Sequence, residues 1–138
     1  MKKGFSDLPP SIELTRLENC SVPGIPDVLM MDHKKRFHLI ELKAHSGNKV
    51  RLSPHQIAFG LRHRDANCWL LVKKTGTDSK NFEIFLYKSS EAMELFEQGL
   101  ADREPWHHQY SPISYSQLYF AMFRDVSHET LKNNHGAP

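Results

Sequence analysis

A chain of 138 residues, 39% of them hydrophobic and 25% charged, has the balance of one soluble globular domain and is too short for two of ordinary size. Eighteen basic against sixteen acidic residues leave a formal net charge of +2, so affinity for a polyanion has to come from local clustering of charge. The longest apolar runs, such as Trp69-Leu70-Leu71-Val72, fall far short of the roughly 20 residues that cross a bilayer. The basic start Met1-Lys2-Lys3-Gly4 has no apolar stretch behind it, and Cys20 and Cys68 form no spaced pair. The expectation is a cytoplasmic protein with reduced thiols and no membrane association.

In chain order, residues 1–10 end in Pro9-Pro10 and read as a short arm. Ser11 to Asn19 alternates Ile12 and Leu14 with polar neighbours, which suits a strand, although a helix fits nearly as well. Pro23-Gly24-Ile25-Pro26 is a turn. Val28 to Asp32 and Phe37 to Lys43 read as the two strands of a hairpin joined by His33-Lys34-Lys35. A basic, glycine-containing loop from Ala44 to Leu52 leads into Ser53-Pro54-His55-Gln56. There Ser53 suits a helix N-cap, Pro54 the first helical position and Gln56 the third position of a capping box. Ile57 and Leu61 give that helix an apolar side. Strands are expected over Cys68 to Lys73 and Phe82 to Tyr87, around Thr75-Gly76-Thr77-Asp78, and an acidic helix over Ser90 to Leu100. The aromatic stretch containing Trp106, Tyr110, Tyr115, Tyr119, Phe120 and Phe123 ends in a helix over Ser114 to Phe123. This order predicts one α/β domain over residues 1–138, a mixed central sheet flanked by helices. Its core spans about 11–88, followed by a helical, aromatic-rich extension over about 89–138.

The chemistry concentrates in Pro26-Asp27 and Glu41-Leu42-Lys43. Alternation along a strand sets Glu41 and Lys43 on one face and Ile40 and Leu42 on the other. A three-residue hairpin loop pairs Asp32 with Arg36 and makes every pair of partners sum to 68, which sets Asp27 opposite Glu41. A two-residue loop would move Asp27 to the wrong face. Two carboxylates about 5 Å apart repel unless a positive charge lies between them. A divalent cation supplies that charge, and magnesium prefers such oxygen ligands. A bound cation lowers the pKa of water and stabilises charge on a phosphate, and a neighbouring lysine can orient or deprotonate that water.

Gly24-Ile25-Pro26-Asp27-Val28, Leu39-Ile40-Glu41-Leu42-Lys43 and Leu52-Ser53-Pro54-His55-Gln56, in this order and spacing, resemble the PD-(D/E)XK nuclease superfamily. Within it they look most like the VRR-NUC group and the related Holliday-junction resolvase-like proteins of phages. The resemblance covers residues 18 to about 73 and implies a restriction-endonuclease-like core. It implies that Asp27 and Glu41 bind Mg2+, with Mn2+ able to substitute, that the Leu42 carbonyl is a further ligand, and that Lys43 is the catalytic lysine. It makes Glu18 the upstream acidic residue, a ligand directly or through water, with Glu13 as rival. It also points Gln56, otherwise explained by the capping box alone, at the site. The cytoplasm is then that of a bacterium, or of the host if the protein is phage-encoded. Beyond about Leu100 the chain has no counterpart in the family pattern.

Lys49, Arg51, Arg62, His63 and Arg64 flank these motifs and are candidate DNA phosphate contacts, with a solvated basic face as the plain alternative. His107-His108 is the densest histidine pair, but adjacent residues rarely share a metal, so zinc is not expected. The expected activity is magnesium-dependent endonucleolytic cleavage of DNA, structure-specific on branched DNA, in recombination or repair. The competing readings are an exonuclease, a nuclease subunit of a larger complex, and a DNA-binding module that has lost catalysis. A homodimer through the aromatic C-terminal region is expected, because symmetric cutting of a junction needs two centres. No small-molecule cofactor is expected.

Overall fold

A computed structural model of the chain describes residues 11–17, 23–78 and 80–124. Six strands make one sheet in chain order: β1 (Glu13–Arg16), β2 (Val28–Met31), β3 (Phe37–His45), β4 (Cys68–Thr75), β5 (Phe82–Lys88) and β6 (His107–Tyr110). All neighbours are antiparallel except β3 and β4. A parallel pair needs a long crossover, and helix α1 (Pro54–Arg62) supplies it. Helix α2 (Ala92–Gln98) follows β5, and a third helix, α3, covers 115–124.

The domain is therefore mixed α/β, a six-stranded mixed sheet with helices on both faces. On one face Val28, Met30, Ile40, Trp69, Ile84 and Leu86 pack with Leu118, Tyr119, Ala121 and Met122 of α3. On the other, Leu70, Val72 and Tyr87 pack with Val50, Leu52, Ile57 of α1, Ala92 and Leu95 of α2. Strand β4 is apolar on both faces because both are covered. Close packing has its own sequence requirement at Gly60, where a Cβ would sit 2.2 Å from the Ser89 carbonyl oxygen. Among the described residues no helix is long and apolar enough to cross a membrane.

The segment from Ser11 resolves as a strand, Glu13–Arg16, paired with β2. The expected helix over Ser90 to Leu100 is shorter and is flanked by 3-10 turns at Ser89–Glu91 and Leu100–Asp102; Gly99, at φ 79°, ends it. Strand β6 was not expected. Its sequence, His-His-Gln-Tyr, carries no apolar alternation because it is an edge strand held by the ladder to β5. The C-terminal aromatic region is not all surface. Tyr119 is core, whereas Phe120 and Tyr110 stay exposed.

The β2–β3 hairpin fixes the geometry of everything that follows. Its ladder pairs Val28 with Ile40, Leu29 with Leu39, Met30 with His38 and Met31 with Phe37, the register that a three-residue loop requires. Lys35 takes the left-handed conformation at φ 64° that such loops use at their last position. Asp32, fully buried, holds the loop closed. Its carboxylate accepts from the Lys34 and Arg36 amides at 2.8 and 3.0 Å, from Arg36 Nε at 3.1 Å and from His38 at 3.0 Å. Trp69 Nε1, which can only donate, points at His38 Nδ1 at 3.2 Å. His38 is therefore neutral and donates from Nε2 to Asp32. Burial depresses the His38 pKa and outweighs the pull of Asp32. Burial alone would raise Asp32, but its hydrogen bonds from His38, Arg36 and Lys34 and the Arg36 charge bring its pKa below the ordinary value.

Candidate active site

Strand β3 is interior to the sheet, so its two faces meet different surroundings. Ile40 points to the α3 side, and Leu42 lines an apolar cavity of about 90 Å³ there with Leu14, Leu71 and Tyr115. Glu41 points to the α1 side, into a cleft with Pro26, Leu52, Gln56, Phe59 and Leu70. Only 7% of Glu41 is exposed. Lys43, two residues on, shares that face.

The ladder ends at Val28 with Ile40, and Asp27, at a bend just before β2, brings its carboxyl group against Glu41. The Leu42 amide, one residue beyond Glu41, is taken by the Asp27 carboxylate, Oδ2 accepting at 2.9 Å. The Asp27 carbonyl faces the other way and accepts from the Leu17 amide at 2.7 Å, which fixes the backbone that carries the carboxylate. Gly24, at φ 86°, lets this segment lie against the start of α1. A Cβ there would sit 2.4 Å from the His55 carbonyl oxygen.

Gln56 has both roles that the sequence left open. Its side-chain oxygen accepts from the Ser53 amide at 3.0 Å, and its own amide donates to Ser53 Oγ at 3.2 Å, closing the capping box. That orientation aims its Nε2 at Glu41 Oε1, to which it donates. The other oxygen, Glu41 Oε2, is buried and meets no donor among the described residues. Desolvation, a hydrogen bond with the Asp27 carboxyl and repulsion by its charge push the Glu41 pKa up to about 8, against smaller opposing pulls from Lys43 and the Asp27 backbone amide. Near neutral pH this favours the protonated acid of Glu41, which lies against the Asp27 carboxyl group. Two carboxyl groups in contact, one of them with a raised pKa, form a donor set that suits a hard divalent cation.

Glu18 lies outside the described residues. Glu13 is not a member of the site, because it pairs with Met31 at the far end of β2, about 13 Å along the strand from Asp27 at 3.3 Å per residue. Among the described residues no group of three or more His, Cys, Asp or Glu side chains comes together; Asp27 and Glu41 are a pair.

The basic residues divide into two groups. Lys49 and Arg51 are exposed in the loop that leaves the carboxyl end of β3. Arg62, His63 and Arg64 sit at the far end of α1, about 9 Å of helix rise beyond Gln56. His63 closes its own helix, donating from Nδ1 to the Phe59 carbonyl at 2.8 Å and stacking on the Phe59 ring. Sequence reasoning missed His45 and Lys74. His45 shares the face of Glu41 and Lys43, and its pKa is lowered first by burial and then by the Lys43 and Arg51 charges. Alternation from Glu41 was the signal for His45, and the parallel pairing of β3 with β4 was needed to find Lys74.

Compared with family models, with curated proteins and with solved structures, the chain has no match.

Proposed function

We propose that the protein is a metal-dependent endonuclease of the PD-(D/E)XK type, with a restriction-endonuclease-like core, that hydrolyses phosphodiester bonds of DNA. The observation that carries this reading is the close pairing of Asp27 with a buried Glu41, whose pKa burial and that pairing raise, beside a lysine on the same face. A structural carboxylate at 7% exposure would have its oxygens satisfied by donors. This one is held by Gln56 on one oxygen and faces a second carboxyl group, that of Asp27.

The residues present fit a divalent cation, with Asp27 and Glu41 as carboxylate ligands and the Leu42 carbonyl as a third oxygen; Glu18 is a further candidate. Such an ion supplies a water of lowered pKa and positive charge for the phosphate. The Leu42 amide holds Asp27 in place, so its second oxygen keeps a fixed direction. Gln56 does the same for Glu41. When Glu41 loses its proton, the pair carries the two negative charges that a cation balances. Lys43, on the same face as Glu41, can orient the attacking water or help deprotonate it and offset charge gathering on the phosphate.

Branched DNA is the favoured substrate class, because a domain of this size reads shape through phosphates more readily than sequence through bases. Cutting both strands of a junction calls for two copies of the site, hence a homodimer. The test is a panel of end-labelled linear duplex, flap and four-way junction, each incubated with Mg2+, with Mn2+ and with a chelator. Metal-dependent internal cleavage, fastest on the junction, is expected. Release of mononucleotides from linear ends would favour an exonuclease, and no cleavage with either metal would refute a nuclease.

A further inference from the structure

We infer that the carboxyl ends of β3 and β4 form a track for a DNA phosphate backbone, built from Lys43, His45, Lys49, Arg51 and Lys74; this rests on the nuclease reading above. Between Glu41 and Asp65 the sequence holds Lys43, Lys49, Arg51, Arg62 and Arg64 and not one acidic residue. A net charge of +2 for the chain thus conceals a one-signed stretch that starts at the proposed site.

The fold brings part of that stretch to one place and adds to it. In the parallel pair, Glu41 stands beside Leu70, Lys43 beside Val72 and His45 beside Lys74. Alternation sets all six on the face that carries the carboxylate pair. From Glu41 to His45 the strand rises about 13 Å, long enough to span more than one phosphate of a strand that rises 3.4 Å per nucleotide. The loop beyond β3 alternates as a strand does. Val50 and Leu52 are buried beneath it and Lys49 and Arg51 are exposed above it, so the apolar pair anchors the loop with its cations outward.

Three contacts hold this loop in position. Lys74 Nζ donates to Asn48 Oδ1 at 2.6 Å. The Leu100 amide donates to the Asn48 carbonyl at 2.8 Å, an approach that Gly99 permits because its Cα carries no side chain. The Arg51 amide points at His45 Nε2 at 3.4 Å, a long contact, which makes that nitrogen the acceptor and leaves Nδ1–H as a donor. Cations fixed in place before binding lose less entropy on binding than mobile ones. Arg62 and Arg64, at the other end of α1, lie off this line.

The test measures binding apart from catalysis: fluorescence anisotropy of a labelled 20-base-pair duplex in chelator, from 0.05 to 0.3 M salt. Removing one phosphate contact should lower the slope of log K against log salt by about 0.9. That corresponds to roughly eight-fold weaker binding at 0.1 M if the proteins converge at 1 M. Lys74→Gln should show this loss and Lys49→Gln/Arg51→Gln about twice that slope change. Lys74→Arg should restore the slope, which separates charge from the Asn48 tether. Lys35→Gln, at the opposite end of β3, should leave the slope unchanged. Unchanged slopes in both the Lys74 and the Lys49/Arg51 variants overturn the track, as does a slope lost only in Arg62→Gln/Arg64→Gln. If those results accompany metal-dependent cleavage, the nuclease reading stands without the track. A wild-type protein that binds no duplex in this range overturns the track as well.

Discussion

Replacing Glu41 by Gln mimics the protonated acid permanently, and its effect should depend steeply on pH. The folded pKa of about 8 lies above the ordinary 4.5. The sign follows from linkage: stability associated with this group is fully present below pH 4.5 and is lost as pH rises towards and through 8. At 1.36 kcal/mol per unit, the separation amounts to at most about 5 kcal/mol at pH 9. Side-chain relaxation and water entry reduce that ceiling. Gln can keep both contacts, its oxygen accepting from Gln56 and its amide donating to Asp27. In chelator the variant should therefore match wild type near pH 4 and exceed it increasingly up to pH 9. For a domain of this size, 1 kcal/mol corresponds to roughly 3–5 °C of melting temperature, so the gap at pH 9 should reach many degrees. Urea melts of both proteins from pH 4 to 9 measure it. A difference independent of pH would refute the raised Glu41 pKa and the close approach of Asp27 to Glu41.

Cation binding should displace that same proton. Calorimetry in buffers of differing ionisation enthalpy should find protons released on binding magnesium or manganese at pH 7 and fewer at pH 9, on the far side of the Glu41 pKa of about 8; equal release at both pH values would mean that Glu41 is not a ligand. Asp32→Ala removes the acceptor for two amides, an arginine and a buried histidine, and should destabilise the protein by about 3–5 kcal/mol; a loss under 1 kcal/mol would show that the loop sets the hairpin register without it. Gly24→Ala forces a left-handed alanine and a clash with the His55 carbonyl. It should lower stability by at least about 1–2 kcal/mol and cleavage along with it by shifting Asp27, and unaltered melting and cleavage would contradict that packing.

The hairpin was the most legible part of the sequence. A three-residue loop between two short apolar runs leaves one register that keeps the apolar sides together, and that register alone aligns Asp27 with Glu41. The start of α1 was equally plain, since Ser53, Pro54 and Gln56 each occupy the position their backbone chemistry favours. What could not be read depended on contacts distant in sequence. Asp32 is an ordinary turn residue until Trp69, 37 positions on, is known to fix the tautomer of His38. Lys74 belongs to the face of Glu41 only because β4 runs parallel to β3. Strand β6 has the composition of a loop and becomes a strand through the edge of β5. Gln56 was legible as a cap, and the nuclease resemblance pointed it towards the site; its bond to Glu41 is added by the fold.

In the proposed mechanism Asp27 holds the cation and Lys43 serves the water, and thermal melting with and without 10 mM Mg2+, run beside a DNA-nicking assay, separates the two roles. A ligand at ten times its Kd stabilises the folded state by about 1.4 kcal/mol. Wild type should show an upward shift of that order and nick DNA. Asp27→Asn, which can still accept the Leu42 amide, should be at least as stable without metal, with the shift and the nicking both lost. Lys43→Ala should keep the shift and lose the nicking. An Asp27→Asn protein that retains the full shift and full activity would contradict the account, because Asp27 would then be only the residue that ends a turn.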